Sequence, residues 1–216
     1  MAVINLKEKI IQVKIVYYGP GRSGKTTNLV YIYNKLQEKL KDKMTNKLIS
    51  INTKGDRTLF FDFLPVELGK IHGLDLKLQI YTTPGQLIYD VTRKLVLKGV
   101  DGLVFTADSL LVRREANLEN LEILKKNLAY YNSSLEEIPI AFQWNKRDLA
   151  EDGVPLLDID TLETDLNAVL KAPSFPASAL NGYNVLKTLK MAAKLTIQSV
   201  IKKLVLPEGR AKAIGS

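Results

Sequence analysis

Gly19-Pro20-Gly21-Arg22-Ser23-Gly24-Lys25-Thr26 matches the pattern G-x-x-x-x-G-K-[ST] and is the most informative segment of the sequence. Residues 13–18 before it form an apolar run that predicts a strand, and the segment from residue 25 to about residue 40 has helical periodicity. In this context glycines let the backbone curl so that successive N–H groups face phosphate oxygens, and the helix amino terminus adds partial positive charge. The segment is therefore predicted to be a phosphate-binding loop.

Individual residues of this loop have separate predicted roles. We expect Lys25 to contact the β- and γ-phosphates and so to take part in catalysis, and the hydroxyl of Thr26 to ligate Mg²⁺. Arg22 lies at a position that usually points outward, so a catalytic role for it is the less favoured interpretation. The predicted nucleotide contacts here are Gly19, Gly21, Arg22, Ser23, Gly24, Lys25, Thr26 and Thr27.

The rest of the chain alternates strand-like runs with helical segments, which predicts an α/β fold with helices on both faces of a mostly parallel sheet. The runs at residues 59–64 and 74–81, joined by a turn around His72 and Gly73, predict an antiparallel pair at one edge. Further strands are predicted at residues 102–107, 138–144 and 174–177, a possible short one at 48–51, and helices at 113–131, 160–170 and about 184–206. We expect a six-stranded sheet and one domain over residues 1–216, with a short tail at 207–216.

The composition is that of an ordinary globular protein. The chain has 216 residues, of which 46% are hydrophobic and 25% are charged. It contains no Cys, which excludes disulfides, thiolate metal sites and a cysteine nucleophile. No apolar run reaches the length of a membrane span and the amino-terminal segment lacks a secretory signal, so we expect a cytoplasmic protein.

The formal net charge of +8 raises the question of an anionic partner. Basic residues concentrate in the predicted last helix and around residues 35–47. The simplest interpretation is solvated helix faces, and the alternative is an acidic partner or, at most, peripheral electrostatic contact with a membrane. Aromatic residues are not interleaved with these basic stretches, so we expect no specific nucleic-acid partner.

Asn145-Lys146-Arg147-Asp148 follows a predicted buried strand and indicates which base is bound. The carboxylate of Asp148 offers two acceptors that match the N1–H and the exocyclic amine of guanine, whereas adenine presents neither at that edge. Asn145 can bridge the phosphate loop and the base, and the aliphatic part of Lys146 can lie over the ring. In the next loop, Ser178-Ala179-Leu180 resembles an element whose backbone N–H contacts the guanine O6. The sequence therefore predicts binding of GTP and GDP.

The order of these motifs resembles that of the Ras-like small GTPases over nearly the whole chain. Four segments are more narrowly similar to the bacterial MglA family, whose members are switches in cell polarity and gliding motility: Tyr17-Tyr18-Gly19-Pro20-Gly21, Arg57-Thr58-Leu59-Phe60-Phe61-Asp62-Phe63-Leu64-Pro65, Thr83-Pro84-Gly85-Gln86 and Asn145-Lys146-Arg147-Asp148-Leu149. The resemblance implies a small G protein fold, Mg²⁺ as cofactor, and slow GTP hydrolysis stimulated by a dimeric, MglB-like Roadblock-fold protein. It also implies effectors and two switch segments, at about residues 46–73 and 82–95.

Hydrolysis would proceed by attack of water on the γ-phosphate, through a transition state that requires positioning and charge neutralisation. We expect Gln86 to orient the water and the backbone N–H of Gly85 to contact the γ-phosphate. Thr58 is the expected switch threonine, which with Thr26 would bind Mg²⁺. Arg57 is the expected arginine finger, since a guanidinium can bridge phosphate oxygens, and a solvated loop arginine is the alternative.

Thr82 departs from the Ras-like pattern, in which an Asp at this position holds Mg²⁺ through a water. A neutral hydroxyl can hydrogen-bond a metal-bound water, so we expect Mg²⁺ to bind through Thr26, the phosphates and the switch threonine. Asp62 either positions the switch through hydrogen bonds or faces solvent, and Trp144 is expected to fill the core. The alternative functions are a GTP-binding module with negligible hydrolysis and, less favoured, a phosphate-loop kinase of small molecules.

Overall fold

The computed structural model describes residues 3–5, 8–39, 49–51, 61–71, 73–85 and 89–205. These residues contain eight strands in one sheet and five α-helices. The strands are β1 (Val3–Asn5), β2 (Ile10–Tyr18), β3 (Ile49–Ile51), β4 (Phe61–Ile71), β5 (Leu74–Thr82), β6 (Gly102–Asp108), β7 (Ile140–Asn145) and β8 (Ser174–Pro176). The helices are α1 (Lys25–Lys39), α2 (Asp90–Leu97), α3 (Arg114–Ala129), α4 (Ile159–Leu166) and α5 (Val185–Val205).

The sheet has the strand order β3-β4-β5-β2-β6-β7-β8, and β1 pairs with β2 outside this path. The neighbours from β5 to β8 are parallel, whereas β4 is antiparallel to β5. This confirms the predicted mostly parallel, six-stranded sheet with one antiparallel edge. Two further strands add antiparallel pairings. Strand β3 confirms the possible short strand predicted at residues 48–51, whereas β1 is not among the predicted strands. Strand β1 has only three residues, too few for a periodic pattern to identify it.

Strand β2 illustrates how the sheet is buried on both faces. Successive side chains of a strand point to opposite faces. Ile15 and Tyr17 belong to a hydrophobic cluster formed with helices α1 and α5, whereas Val16 and Tyr18 belong to a cluster formed with α2, α3 and α4. All four side chains are fully buried. The predicted helices on both faces of the sheet are thereby confirmed.

Element boundaries differ most from the predictions at β4 and around α2. Strand β4 continues to Ile71, beyond the predicted end at residue 64, because its pairing with β5 persists through an irregularity between Glu67 and Lys70. Helix α2 is not among the predicted elements, and its buried residues mix polar and apolar types. Helix α4 ends at Leu166, before the predicted end at residue 170.

Helix α5 has the predicted amphipathic arrangement. Val185, Leu189 and Val200 are buried in the cluster formed with α1. Its lysines are exposed: Lys187, Lys190, Lys194, Lys202 and Lys203. Among the described residues, none of the helices combines the length and hydropathy that crossing a bilayer requires.

Candidate functional site

The carboxyl ends of the parallel strands bring most of the predicted site residues to one edge of the sheet. Strand β2 ends at Tyr18, before the phosphate loop, and β5 ends at Thr82. Strand β6 ends at Asp108, β7 ends at Asn145, and the loop after β8 carries Ser178. Ligands of open α/β sheets bind at this edge. The topology therefore groups motifs that lie far apart in the sequence.

The phosphate loop closes around the side chain of Lys25. Lys25 is the first residue of α1 and is 6% exposed. Its Nζ donates hydrogen bonds to the carbonyl oxygens of Gly19 (2.9 Å) and Pro20 (2.7 Å). The backbone of the loop thus encloses the amine group of Lys25.

Burial changes the proton affinity of Lys25. Its pKa is lowered to about 7, chiefly because burial disfavours the charged ammonium. The guanidinium groups of Arg93 and Arg113 lower this pKa further, while the carboxylate of Asp62 opposes them. Cationic groups from α2 and from the turn before α3 therefore lie around this buried amine, an environment that attracts a polyanionic ligand.

The remaining residues of the phosphate loop differ in exposure. Ser23 is buried and Gly21 is partly buried, whereas Thr26 and Thr27 are exposed at the start of α1. Arg22 is exposed, in agreement with its predicted outward position, and its backbone is left-handed with φ of 65°.

The side-chain amide of Asn145, the last residue of β7, links the phosphate loop to the loop after β8. Its Nδ2 donates to the carbonyl oxygen of Ser23 in the phosphate loop (2.7 Å), and its Oδ1 accepts from the N–H of Ala179 (2.8 Å). Position 24 requires glycine, because φ is +97° there and a Cβ would lie 2.2 Å from Nδ2 of Asn145. Asn145 is 1% exposed, so both hydrogen bonds are shielded from water. The predicted bridge from Asn145 to the phosphate loop is present.

Asp148 lies in a short 3-10 turn directly after β7. The N–H of Arg147 in this turn donates to the carbonyl oxygen of Ala177 (3.0 Å), which holds the turn beside the loop after β8. Asp148 and Ser178 line one open cleft of about 490 Å³. The side chain of Leu180 is 77% exposed. The fold thus brings together the two segments that the sequence assigns to the base.

Lys146 makes a contact that the motif alone does not predict. Its Nζ donates a hydrogen bond of 2.6 Å to Oδ2 of Asp108, the last residue of β6. Asp108 is 1% exposed. This ion pair anchors the end of the Lys146 side chain and leaves its aliphatic part as the surface available to a base.

Asp62 lies between the phosphate loop and the end of β5. Its Oδ2 accepts hydrogen bonds from Oγ1 of Thr26 (2.6 Å) and from Oγ1 of Thr82 (3.0 Å). Its backbone N–H donates to Oγ1 of Thr82 (2.9 Å). Asp62 is 8% exposed, so the alternative of a solvent-facing side chain is wrong.

Gly85 packs directly against the phosphate loop. A Cβ at this position would lie 2.2 Å from Cα of Gly21, so only glycine fits. Arg93 of α2 holds this loop, because its Nε donates to the carbonyl oxygen of Pro84 (3.0 Å) and its Nη2 to that of Gly85 (3.1 Å). Arg93 is 1% exposed. Helix α2 therefore determines where Gly85 lies relative to the phosphate loop.

Three predicted catalytic residues, Arg57, Thr58 and Gln86, lie outside the described residues, as does His72. Their roles stay predictions. Trp144 is fully buried and stacks on Phe142, with ring centroids 5.1 Å apart, which confirms its expected place in the core.

Sequence reasoning missed three charged residues at this edge of the sheet. Arg93 and Arg113 belong to segments in which no motif distinguishes one arginine from another. Asp108 directly follows a predicted strand, and this position at a carboxyl end is the one signal that could have identified it.

The amino-acid sequence is similar to those of known proteins. The model of the Ras family matches residues 14–198, a span that includes the phosphate loop and the segment from Asn145 to Asp148. The chain is 48% identical over 202 residues to the mutual gliding-motility protein MglA of Myxococcus xanthus (strain DK1622). That alignment covers 94% of this chain and 99% of the relative. The protein therefore belongs to the Ras family of small GTPases.

Proposed function

We propose that this protein is a single-domain molecular switch that binds GTP, hydrolyses it to GDP and phosphate with Mg²⁺, and controls cell polarity or gliding motility. The observation that carries the proposal is the Asn145 amide, which hydrogen-bonds both the phosphate loop at Ser23 and the loop after β8 at Ala179. One nucleotide lying along this bridge would contact the phosphate-binding and base-binding motifs together. Membership of the Ras family supports the same activity.

Selectivity for guanine would depend on Asp148. Its two carboxylate oxygens match the N1–H and the amine of guanine, and adenine would leave these acceptors unpaired. The aliphatic part of Lys146 would lie over the ring while Asp108 anchors its ammonium group. Ser178, Ala179 and Leu180 would supply backbone contacts to the guanine oxygen.

The side chains around Thr26 fit Mg²⁺, the cofactor that Ras-family GTPases generally use. Mg²⁺ prefers hard oxygen donors and keeps several of its waters. The Thr26 hydroxyl and the Asp62 carboxylate lie within hydrogen-bond distance of each other. Both groups offer hard oxygen atoms of the kind that Mg²⁺ prefers as ligands. We assign Thr26 and Thr58 as ligands and Asp62 as the acceptor for a metal-bound water, supplying the negative charge that Thr82 lacks. The metal would neutralise charge on the phosphate oxygens.

The remaining groups would act on the γ-phosphate. Lys25 would leave the carbonyl oxygens of its own loop for the β- and γ-phosphates, where its ammonium form is stabilised. Gln86 would orient the attacking water, and Gly85 would donate its N–H to the γ-phosphate. Arg57 would neutralise the charge that develops in the transition state.

Regulation would come from partner proteins. Ras-family membership implies effectors that distinguish the GTP-bound and GDP-bound states. The similarity to a gliding-motility protein supports a role in motility or polarity, with an MglB-like dimer of Roadblock fold as the activator. We propose that this activator acts on the first switch segment, residues 46–73. GTP is made in the cytoplasm, and the switch would act there.

Two alternatives make different predictions. A GTP-binding module with negligible hydrolysis would bind GTP and release it unchanged. A phosphate-loop kinase would not require guanine and would transfer phosphate to a second small molecule.

The decisive experiment measures nucleotide affinity and single-turnover hydrolysis together. We expect GTP and GDP to bind far more tightly than ATP, and Asp148→Asn to lose guanine affinity and favour xanthine nucleotides. Asp152→Asn is the matched control, because Asp152 is an exposed carboxylate in the same loop. Equal affinity for ATP and GTP would contradict the proposal, and so would the absence of GTP hydrolysis with activator present.

A further inference from the structure

Arg113 reaches the phosphate loop from the opposite half of the sequence. It is the last residue of a 3-10 turn, Leu111–Arg113, between β6 and α3. Its Nη2 donates a hydrogen bond of 3.0 Å to the carbonyl oxygen of Gly21. No motif assigns a function to this arginine.

The guanidinium of Arg113 lies beside the carboxylate of Asp108, which also anchors Lys146 of the guanine-binding segment. Its Nε lies 3.7 Å from Oδ2 of Asp108. That oxygen also accepts from Nζ of Lys146 (2.6 Å), and Oδ1 of Asp108 accepts from the N–H of Leu110 (3.2 Å). Asp108 therefore holds two cationic side chains: Lys146 in the guanine-binding segment and Arg113 beside the phosphate loop.

The contact with Gly21 constrains the peptide group that joins Gly21 to Arg22. In a planar trans peptide the carbonyl and the N–H point in opposite directions. Because the Gly21 oxygen faces Arg113, the N–H of Arg22 faces away from Arg113. Arg22 also has a left-handed φ of 65°, which a side-chain-bearing residue rarely adopts unless its surroundings hold it there.

Gly21 is also the contact point of the second switch segment. Gly85 lies so close to it that a Cβ at residue 85 would be 2.2 Å from the Cα of Gly21. A shift of the Gly21 peptide would therefore alter both the phosphate cradle and its contact with Gly85.

We propose that Arg113 is a positioning residue, which orients the N–H of Arg22 toward bound phosphate and links the phosphate loop to Lys146 through Asp108. This inference rests on the proposed function of the site. Arg113 would act through the backbone of the loop, not by contact with the reacting phosphate, because the carbonyl of Gly21 already accepts from its Nη2.

The test is the release rate of fluorescent GDP from purified full-length protein. We expect Arg113→Ala to release GDP about tenfold faster, which is the effect of losing one charge-assisted hydrogen bond. Arg113→Lys should restore slow release in large part, since an ammonium can donate to the same carbonyl. Arg113→Met, which keeps the bulk without the donor, should behave like Arg113→Ala.

Arg114→Ala is the matched control. Arg114 is the next residue, and its guanidinium pairs with Asp165 at 2.7 and 2.9 Å, so its loss removes the same charge without affecting the loop. Parental GDP release by Arg113→Ala would overturn the inference. Loss of hydrolysis with unchanged release would also overturn it, because Arg113 would then act on the reaction itself. Failure of the proposed function is distinguishable, because the parent protein would then bind ADP as tightly as GDP.

Discussion

The hydroxyl of Thr26 donates a hydrogen bond of 2.6 Å to Oδ2 of Asp62, which lies on the antiparallel strand β4. The same oxygen accepts from Thr82, at the position where Ras-like proteins carry an Asp. Thr82 has no carboxylate, and the carboxylate of Asp62 on the neighbouring strand β4 lies beside it instead. Since β4 belongs to the proposed first switch segment, metal binding through Thr26 and Asp62 would couple the nucleotide to that segment.

The first prediction concerns Mg²⁺. Asp62→Asn should weaken Mg²⁺ affinity in the GDP complex by about 10- to 100-fold, the usual effect of removing a carboxylate that orients a metal's ligands. The measurement is the rate of fluorescent GDP release as a function of Mg²⁺ concentration. Glu67→Gln is the control, because Glu67 is an exposed carboxylate on the same strand. An unchanged Mg²⁺ dependence in Asp62→Asn would show that Asp62 has no part in metal binding.

The second prediction concerns Arg93. Arg93→Met should lower the free energy of unfolding by about 2–4 kcal/mol, because it leaves the partly buried carbonyl oxygens of Pro84 and Gly85 without their donor and removes a buried side chain. Urea denaturation measures this difference. Arg114→Met should lower the same quantity much less, since the pair of Arg114 with Asp165 is half-exposed and water screens it. Equal losses in the two variants would contradict a special role for Arg93.

The third prediction concerns Gln86. Gln86→Leu should retain GTP and GDP with parental affinity and lose hydrolysis, because leucine cannot hydrogen-bond the attacking water. Single-turnover hydrolysis and equilibrium nucleotide binding, measured on the same preparation, separate the two effects. Hydrolysis at the parental rate would refute the water-positioning role.

The fourth prediction concerns Arg57 and the activator. An arginine finger contributes ~10³–10⁵ in rate. Arg57→Ala should therefore lose most of the stimulated hydrolysis while its GTP affinity and its binding to the activator stay nearly unchanged. The measurement is single-turnover hydrolysis with and without a Roadblock-fold dimer, with Arg114→Ala as the charge-matched control. Full stimulation of Arg57→Ala would mean that the finger comes from another arginine or from the partner.

Agreement between prediction and structure is closest where the signal is local. The run at residues 13–18, the loop from Gly19 to Thr26 and the helix after it are adjacent in sequence, and the structure has them as predicted. Helix α2 shows the opposite case. In this helix the apolar Val91 and Leu95 are exposed while Arg93 is buried, where its guanidinium donates to carbonyl groups of the preceding loop.

The order of motifs along the chain was enough to identify a phosphate loop, a guanine-binding segment and an α/β fold, because each depends on residue types at short spacing. Only the tertiary structure decided that Asp62 faces Thr26, that Arg113 contacts Gly21, and that Asp108 links Arg113 to Lys146. These pairs are brought together by strand order and register. A hydrogen bond depends on distances of a few tenths of an ångström, and no local pattern of residues determines such distances across a sheet.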